Sequence, residues 1–286
     1  MRKKAKLLFT SSRPLSWVNT AFPFAAGYLF FAQSVDPLLI IGTLFFLIPY
    51  NLLMYGINDV YDYESDMRNP RKGGVEGAVV AKKYHRLLLS WSYILPMPFV
   101  IALAILAPQS LLVLLGCLFF VIAYSAKGLR FKEIPFLDSI TSSLHFVGPL
   151  LFALSCVGWP QQAWPIVIAF FFWGIASQSF GAIQDIIADR EAGLKSIATV
   201  LGARKTLYFA LANYLIAVGV MVSTGLSGAV VAIASLAYVT NILPFIQVTD
   251  KTAETTRAGW KRFLWINFLV GAVVTMSLIV AYLEVK

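Results

Sequence analysis

Long apolar runs and short polar segments alternate along the whole of this chain. The runs fall at residues 15–31, 37–58, 87–107, 110–126, 137–157, 163–184, 206–224, 228–248 and 263–283. Each is about twenty residues, the length of helix that crosses the hydrocarbon core of a bilayer. The runs are continuously apolar and do not alternate with period two, so the pattern predicts helices and excludes an outer-membrane barrel. Pro37, Pro108, Pro160 and Gly225 mark some of the tight links. Leu15–Phe31 shares its character with a signal-peptide core, but it is long and no small-residue cleavage site follows, so it reads as the first span. The expected fold is all-α and integral to the membrane, with nine transmembrane helices.

Composition agrees with this pattern. The 286 residues are 59% hydrophobic and 13% charged, with mean hydropathy +0.76, whereas a soluble domain is about half apolar and a quarter charged. A net charge of +9 raises the possibility of a nucleic-acid partner, but the basic residues sit in short loops between spans, where topology accounts for them. They cluster at the N-terminus (Arg2, Lys3, Lys4, Lys6, Arg13) and after spans two, four, six and eight, leaving Lys286 alone on the other side. The positive-inside rule then puts the N-terminus in the cytoplasm and the C-terminus outside. Most acidic residues share the cytoplasmic side, so the chemistry of this multi-pass cell-membrane protein is expected there, among membrane lipids and without nucleic acid. Cys117 and Cys156 lie in apolar runs, far in sequence from any metal-ligand partner, and read as small buried hydrophobes.

Two acidic clusters stand out. Asn58, Asp62 and Asp66 follow span two at i, i+4 and i+8, with Asp59 three residues before Asp62, so one helical face carries the oxygens. Carboxylates at the mouth of a membrane helix are costly unless something binds them, and hard oxygen ligands suit Mg²⁺. Arg68, Arg71 and Lys72 follow directly and suit the phosphates such an ion would hold. Asp185 and Asp189, again at i and i+4, end span six. Equivalent positions four spans apart hint at an internal repeat. Two facing carboxylate sets can hold Mg²⁺ against one diphosphate and neutralise the charge that grows as its carbon bond breaks.

Asn58-Asp59-x-x-Asp62-x-x-x-Asp66 and Asp185-x-x-x-Asp189 resemble the two aspartate motifs of the UbiA superfamily of intramembrane prenyltransferases. Tyr124-Ser125-Ala126-Lys127-Gly128-Leu129-Arg130 is similar to the Tyr–basic motif that follows span four in that family, with Arg130 where the commoner form has Lys. Arg13-Pro14 matches a further family feature. The blocks Ser11–Thr20, Tyr55–Val60, Asn69–Ala78, Leu129–Glu133 and Asp189–Ala192 resemble the lycopene elongases of actinobacterial C50-carotenoid pathways. The resemblance implies one prenyltransferase domain over residues 1–286. It implies Mg²⁺-dependent transfer of a dimethylallyl group from its diphosphate to the ends of lycopene, giving C45 and C50 products. Asn58, Asp59, Asp62, Asp66, Asp185 and Asp189 would hold Mg²⁺, with Asp62, Asp66, Asp185 and Asp189 central to catalysis. Arg13, Arg71, Lys72, Lys127, Arg130 and Lys195 would grip phosphate oxygens, and Tyr124 would donate a hydrogen bond to them. Aromatic faces that could line the path of an allylic cation include Tyr55, Tyr61, Phe131, Trp173 and Phe180.

Some features stay open. The base that removes the final proton is not assigned; His145 reads either as that base or as a hydrogen-bonded interhelical histidine, and Asn19, Asn51, Ser177 and Gln178 are other polar groups inside spans. His85 reads as surface. Gly73–Gly77 lacks the strand and Gly-Lys-Ser/Thr ending of a nucleotide loop and reads as a segment capping the site. The rival acceptor is an aromatic ring of a quinone, haem or chlorophyll pathway. The rival class is a transporter, against which the acids argue by gathering at one face and away from the midplane.

Overall fold

The computed structural model describes residues 2–67 and 79–285. Every regular element there is helical, and the helices gather into two compact units: Met1–Phe131 with Leu144–Pro160, and Lys132–Ser143 with Gln161–Lys286.

The first unit runs through α1 (Arg2–Ser11), α2 (Val18–Ala32), α3 (Pro37–Leu47), α4 (Pro49–Tyr61), the short α5 (Tyr63–Asp66), α6 (His85–Ile94), α7 (Pro96–Leu106) and α8 (Leu111–Ser125). Helix α9 (Leu137–Cys156) carries the boundary between the units at Ser143–Leu144. In the first unit α2 packs on α3, α3 on α7, and α4 on α6 and α8. Its core is aromatic: Phe24, Phe45, Phe46, Tyr50 and Phe152 are fully buried and meet ring to ring. Gly42 makes the α2–α3 approach possible, because a Cβ there would clash with the Phe24 ring.

The predicted single span over 37–58 is two helices, and Pro49 is the reason. Proline supplies no N–H and its ring clashes with the preceding turn, so the ladder opens. In a bilayer the freed carbonyls need other donors. The Phe46 carbonyl accepts from Thr20 Oγ1 at 2.7 Å and Asn51 Nδ2 at 2.9 Å. Asn51, singled out as an intramembrane polar residue, is thus the clasp of a helix break. At the start of α3, Asp36 accepts from the Leu39 N–H and from Tyr28 Oη. Partial burial alone would raise its pKa, but these donors hold it below the usual carboxylate range.

The second unit continues with α10 (Trp164–Ile183), α11 (Ile186–Glu191), α12 (Ile197–Leu201), α13 (Ala203–Val222), α14 (Leu226–Ile242) and α15 (Arg257–Val285). Helix α10 packs on α13, α13 on α14 and α14 on α15. Their core joins Ile183, Leu207, Tyr214, Tyr238 and Phe263. Trp173 and Phe180, candidates for a cation path, pack into this unit: Trp173 stacks on Phe263, and Phe180 lies against Phe245.

Among the described residues, eight helical stretches are long and apolar enough to cross a membrane, from Pro37–Tyr61 to Asp250–Leu283. The ninth expected span corresponds to α2, whose 15 residues extend only about 22 Å against a hydrocarbon core of about 30 Å. It is apolar but short. The chain is a multi-pass, all-helical membrane protein.

Candidate active site

The first acidic cluster is set by how α4 ends. Asp62 caps the helix in a non-helical conformation, and α5 resumes at once. The i→i+4 bonding survives the break: the Asp62 N–H donates to the Asn58 carbonyl at 2.9 Å and the Asp66 N–H to the Asp62 carbonyl at 2.8 Å. Asn58, Asp62 and Asp66 therefore stay on one face, as their spacing predicted. Asp59, Asp62 and Asp66 are 1%, 7% and 6% exposed.

Arginines answer this buried charge. Arg13 Nη2 lies 2.8 Å from Asp59 Oδ1, and its guanidinium stands over the Tyr55 ring at 4.1 Å. Burial opposes the Arg13 charge, but Asp59 and Tyr55 more than offset it and raise its pKa. Arg130 Nη2 lies 3.3 Å from Asp62 Oδ1, and its Nη1 reaches the Tyr61 carbonyl at 3.5 Å. Both arginines hold left-handed backbone, φ 51° at Arg13 and 42° at Arg130. Such conformations cost non-glycine residues about 1–3 kcal/mol and cluster at functional sites. Asn58 Nδ2 donates to Asp62 Oδ2 at 2.8 Å and to Ser125 Oγ at 3.0 Å, which brings the end of α8 to the cluster.

Tyr124 meets the His145 ring edge to face at 4.9 Å. His145 Nε2 lies 3.3 Å from the Phe120 carbonyl, and its own carbonyl accepts from Tyr50 Oη at 3.1 Å. His145 thus joins α8 to α9, the interhelical arrangement. Lys127 is exposed. His85, expected at the surface, is half-buried, with Nε2 2.7 Å from the Val80 carbonyl and its ring against Tyr63. The Val80 carbonyl and the Tyr63 ring hold it inward. Arg68, Arg71, Lys72 and Gly73–Gly77 lie outside the described residues.

In the second unit, α10 ends at Gln184 and Asp185 opens α11. The Asp189 N–H donates to the Asp185 carbonyl at 2.8 Å, so these two also share a face. Both are half-buried and Lys195 is exposed. Arg190 turns elsewhere: Nη1 meets Asp250 Oδ2 at 2.7 Å and Nη2 the Thr199 carbonyl at 2.9 Å. Asp250 Oδ1 in turn accepts from the Ala203 N–H at 2.7 Å. Buried Asp138 accepts from the N–H groups of Ser139 and Ile197, tying the start of α9 to α12. The spacing of Asp138, Arg190 and Asp250 in sequence carried no sign of these latches.

Among the described residues, no group of three or more His, Cys, Asp or Glu side chains converges as a metal cage. The donor set nevertheless fits Mg²⁺, which takes one or two carboxylates and fills its octahedron with water and substrate phosphate oxygens. Asn58, Asp62 and Asp66 offer such a set on consecutive turns.

A model of the UbiA prenyltransferase family matches residues 20–269. The chain belongs to the UbiA prenyltransferase family. This UbiA protein is 50% identical over 282 residues, 98% of each chain, to a lycopene elongase/hydratase of Corynebacterium glutamicum. It is 53% identical over 274 residues to the C(50) beta-cyclic carotenoids biosynthesis protein LbtBC of Dietzia sp.. That match takes in 94% of this chain and spans 63% of the length of the Dietzia protein. Among solved structures, a UbiA homolog from Archaeoglobus fulgidus bound to DMAPP and Mg²⁺ shares the fold at TM-score 0.67, with 20% identity over 94% of this chain and 99% of that one. An apo UbiA homolog from Aeropyrum pernix K1 also scores 0.67 at 20% identity, over 92% and 97%.

Proposed function

We propose that this UbiA prenyltransferase, one domain over residues 1–286, transfers the C5 group of dimethylallyl diphosphate to the ends of lycopene. The observation that carries this reading is the 50% identity to a lycopene elongase/hydratase over nearly the full length of both chains. Asn58, Asp62, Asp66, Asp185 and Asp189 would hold Mg²⁺, which when bound neutralises charge on the diphosphate. Arg130 and Lys127, with Arg71, Lys72 and Lys195, orient the phosphate oxygens, and Tyr124 donates to them. Arg13 and Asp59 hold each other and so fix the end of α4 against the N-terminal segment.

The carbon–oxygen bond of the donor breaks with both electrons going to the diphosphate. The allylic cation is attacked by a terminal double bond of lycopene, and a carbon–carbon bond forms. The resulting tertiary cation loses a proton to a base or takes up water. The distribution of Lys and Arg supports a cytoplasmic site, with the N-terminus inside and the C-terminus outside.

The test supplies membranes containing the chain with labelled dimethylallyl diphosphate, Mg²⁺ and either lycopene or an aromatic acceptor. C45 and C50 products from lycopene are expected, and their masses report whether water is added. Label entering only the aromatic ring overturns the acceptor. A chain that releases no pyrophosphate with either is not acting as a prenyltransferase.

A further inference from the structure

The second unit has an open-mouthed cavity of about 290 Å³ lined by Ala237, Thr240, Asn241, Pro244, Arg262 and Ile266. It lies where α14 meets α15. Its polar end is held in place from two sides. Buried Asn241 donates Nδ2 to the Gly259 carbonyl at 2.9 Å, which fixes the amide. The amide oxygen then accepts from Arg262 Nε at 2.9 Å, and the guanidinium lies over the Phe245 ring at 5.7 Å.

Among the described residues, no carboxylate pairs with Arg262. A guanidinium tethered through Nε and set over a ring keeps its two terminal amino groups as a fork, which matches a phosphate with two parallel hydrogen bonds. Ala237, Pro244 and Ile266 give the lining an apolar side beside the Thr240 hydroxyl, and exposed apolar residues follow on the same helices. Leu243, Trp265 and Leu269 are exposed there, Trp265 by 77%. Cation, tryptophan and exposed aliphatics in that arrangement belong to the bilayer interface. A free phosphate ion would leave the apolar part of the cavity unused.

We propose that the α14–α15 cavity binds the phosphate headgroup of an anionic membrane phospholipid, with Arg262 gripping the phosphate and an acyl chain lying along Ala237 and Ile266. Basic pockets between membrane helices take such headgroups, each cation contributing a factor of about five in affinity.

The purified full-length chain in detergent is titrated with phosphatidylglycerol, phosphatidylcholine or inorganic phosphate, and bound lipid is counted by native mass spectrometry. Wild type should retain phosphatidylglycerol over phosphatidylcholine. Arg262→Ala should weaken phosphatidylglycerol about fivefold and leave phosphatidylcholine unchanged. Arg262→Lys keeps the charge without the fork and should fall between. Arg262 is exposed, so unchanged thermal melting is the control for folding. Equal retention of the two lipids by wild type overturns the proposal, as does undiminished phosphatidylglycerol on Arg262→Ala. Displacement of lipid by inorganic phosphate at matching concentration makes this a free-anion site and overturns it as well.

Discussion

The two aspartate clusters share a local design and differ in their surroundings. In each, a helix breaks beside an aspartate, a short helix follows, and a 2.8 Å N–H···O bond four residues on keeps two carboxylates on one face. In the first, three carboxylates are buried and two distant arginines reach them from strained backbone. In the second, the carboxylates are half-buried and the adjacent Arg190 is held by Asp250. The same helix break thus serves two electrostatic ends. In the first cluster Asp59 and Asp62 each have an arginine partner, while the carboxylates of the second are less deeply buried.

The largest test of that difference is Asp59→Ala, which removes the buried partner of the half-buried Arg13. Breaking one side of a buried pair costs about 3–5 kcal/mol, so thermal unfolding in detergent should show a severe loss. The double variant Arg13→Met/Asp59→Leu removes both charges and should recover most of it. Asp189→Ala, at a half-buried position, should lose less. An equal loss at Asp59 and Asp189 would erase the distinction.

Turnover should respond the other way, with both clusters counting. Asp62→Asn and Asp185→Asn should each lower kcat about 10²–10³-fold in a pyrophosphate-release assay, and chelating Mg²⁺ should abolish release in wild type. A variant at Asp185 with normal turnover would leave the second cluster without a catalytic part. Smallest of all, Arg190→Gln loses an exposed pair, 45% and 40% accessible. Its cost should be about 1 kcal/mol or less, read from the same melts, with turnover near wild type if Arg190 serves the latch alone.

Sequence spacing was a good guide to the clusters themselves. Carboxylates at i, i+4 and i+8 share a face on any helix, and the break at Asp62 did not alter this because its N–H kept the i+4 bond. Spacing could not show which cation meets which acid. Arg13 and Asp59 are 46 residues apart, Arg130 and Asp62 68 apart, and only packing brings them together. The same limit hid the break at Pro49: hydropathy averages over a window and is blind to a lost hydrogen bond that Thr20 and Asn51 replace. His85 was misread as surface because its acceptor is a backbone carbonyl, and no residue type announces a carbonyl.

The sequence by itself determined that the chain is helical and membrane-spanning, because apolar length and the need to bond every backbone group leave a bilayer segment no other form. It also determined where the acids gather, since helical periodicity is local. Tertiary structure alone decided the electrostatic state of those acids, because burial and ion pairing depend on partners many turns away. That is why Asp59 is locked to Arg13, why Arg190 faces Asp250, and why Arg262 is tied to Asn241.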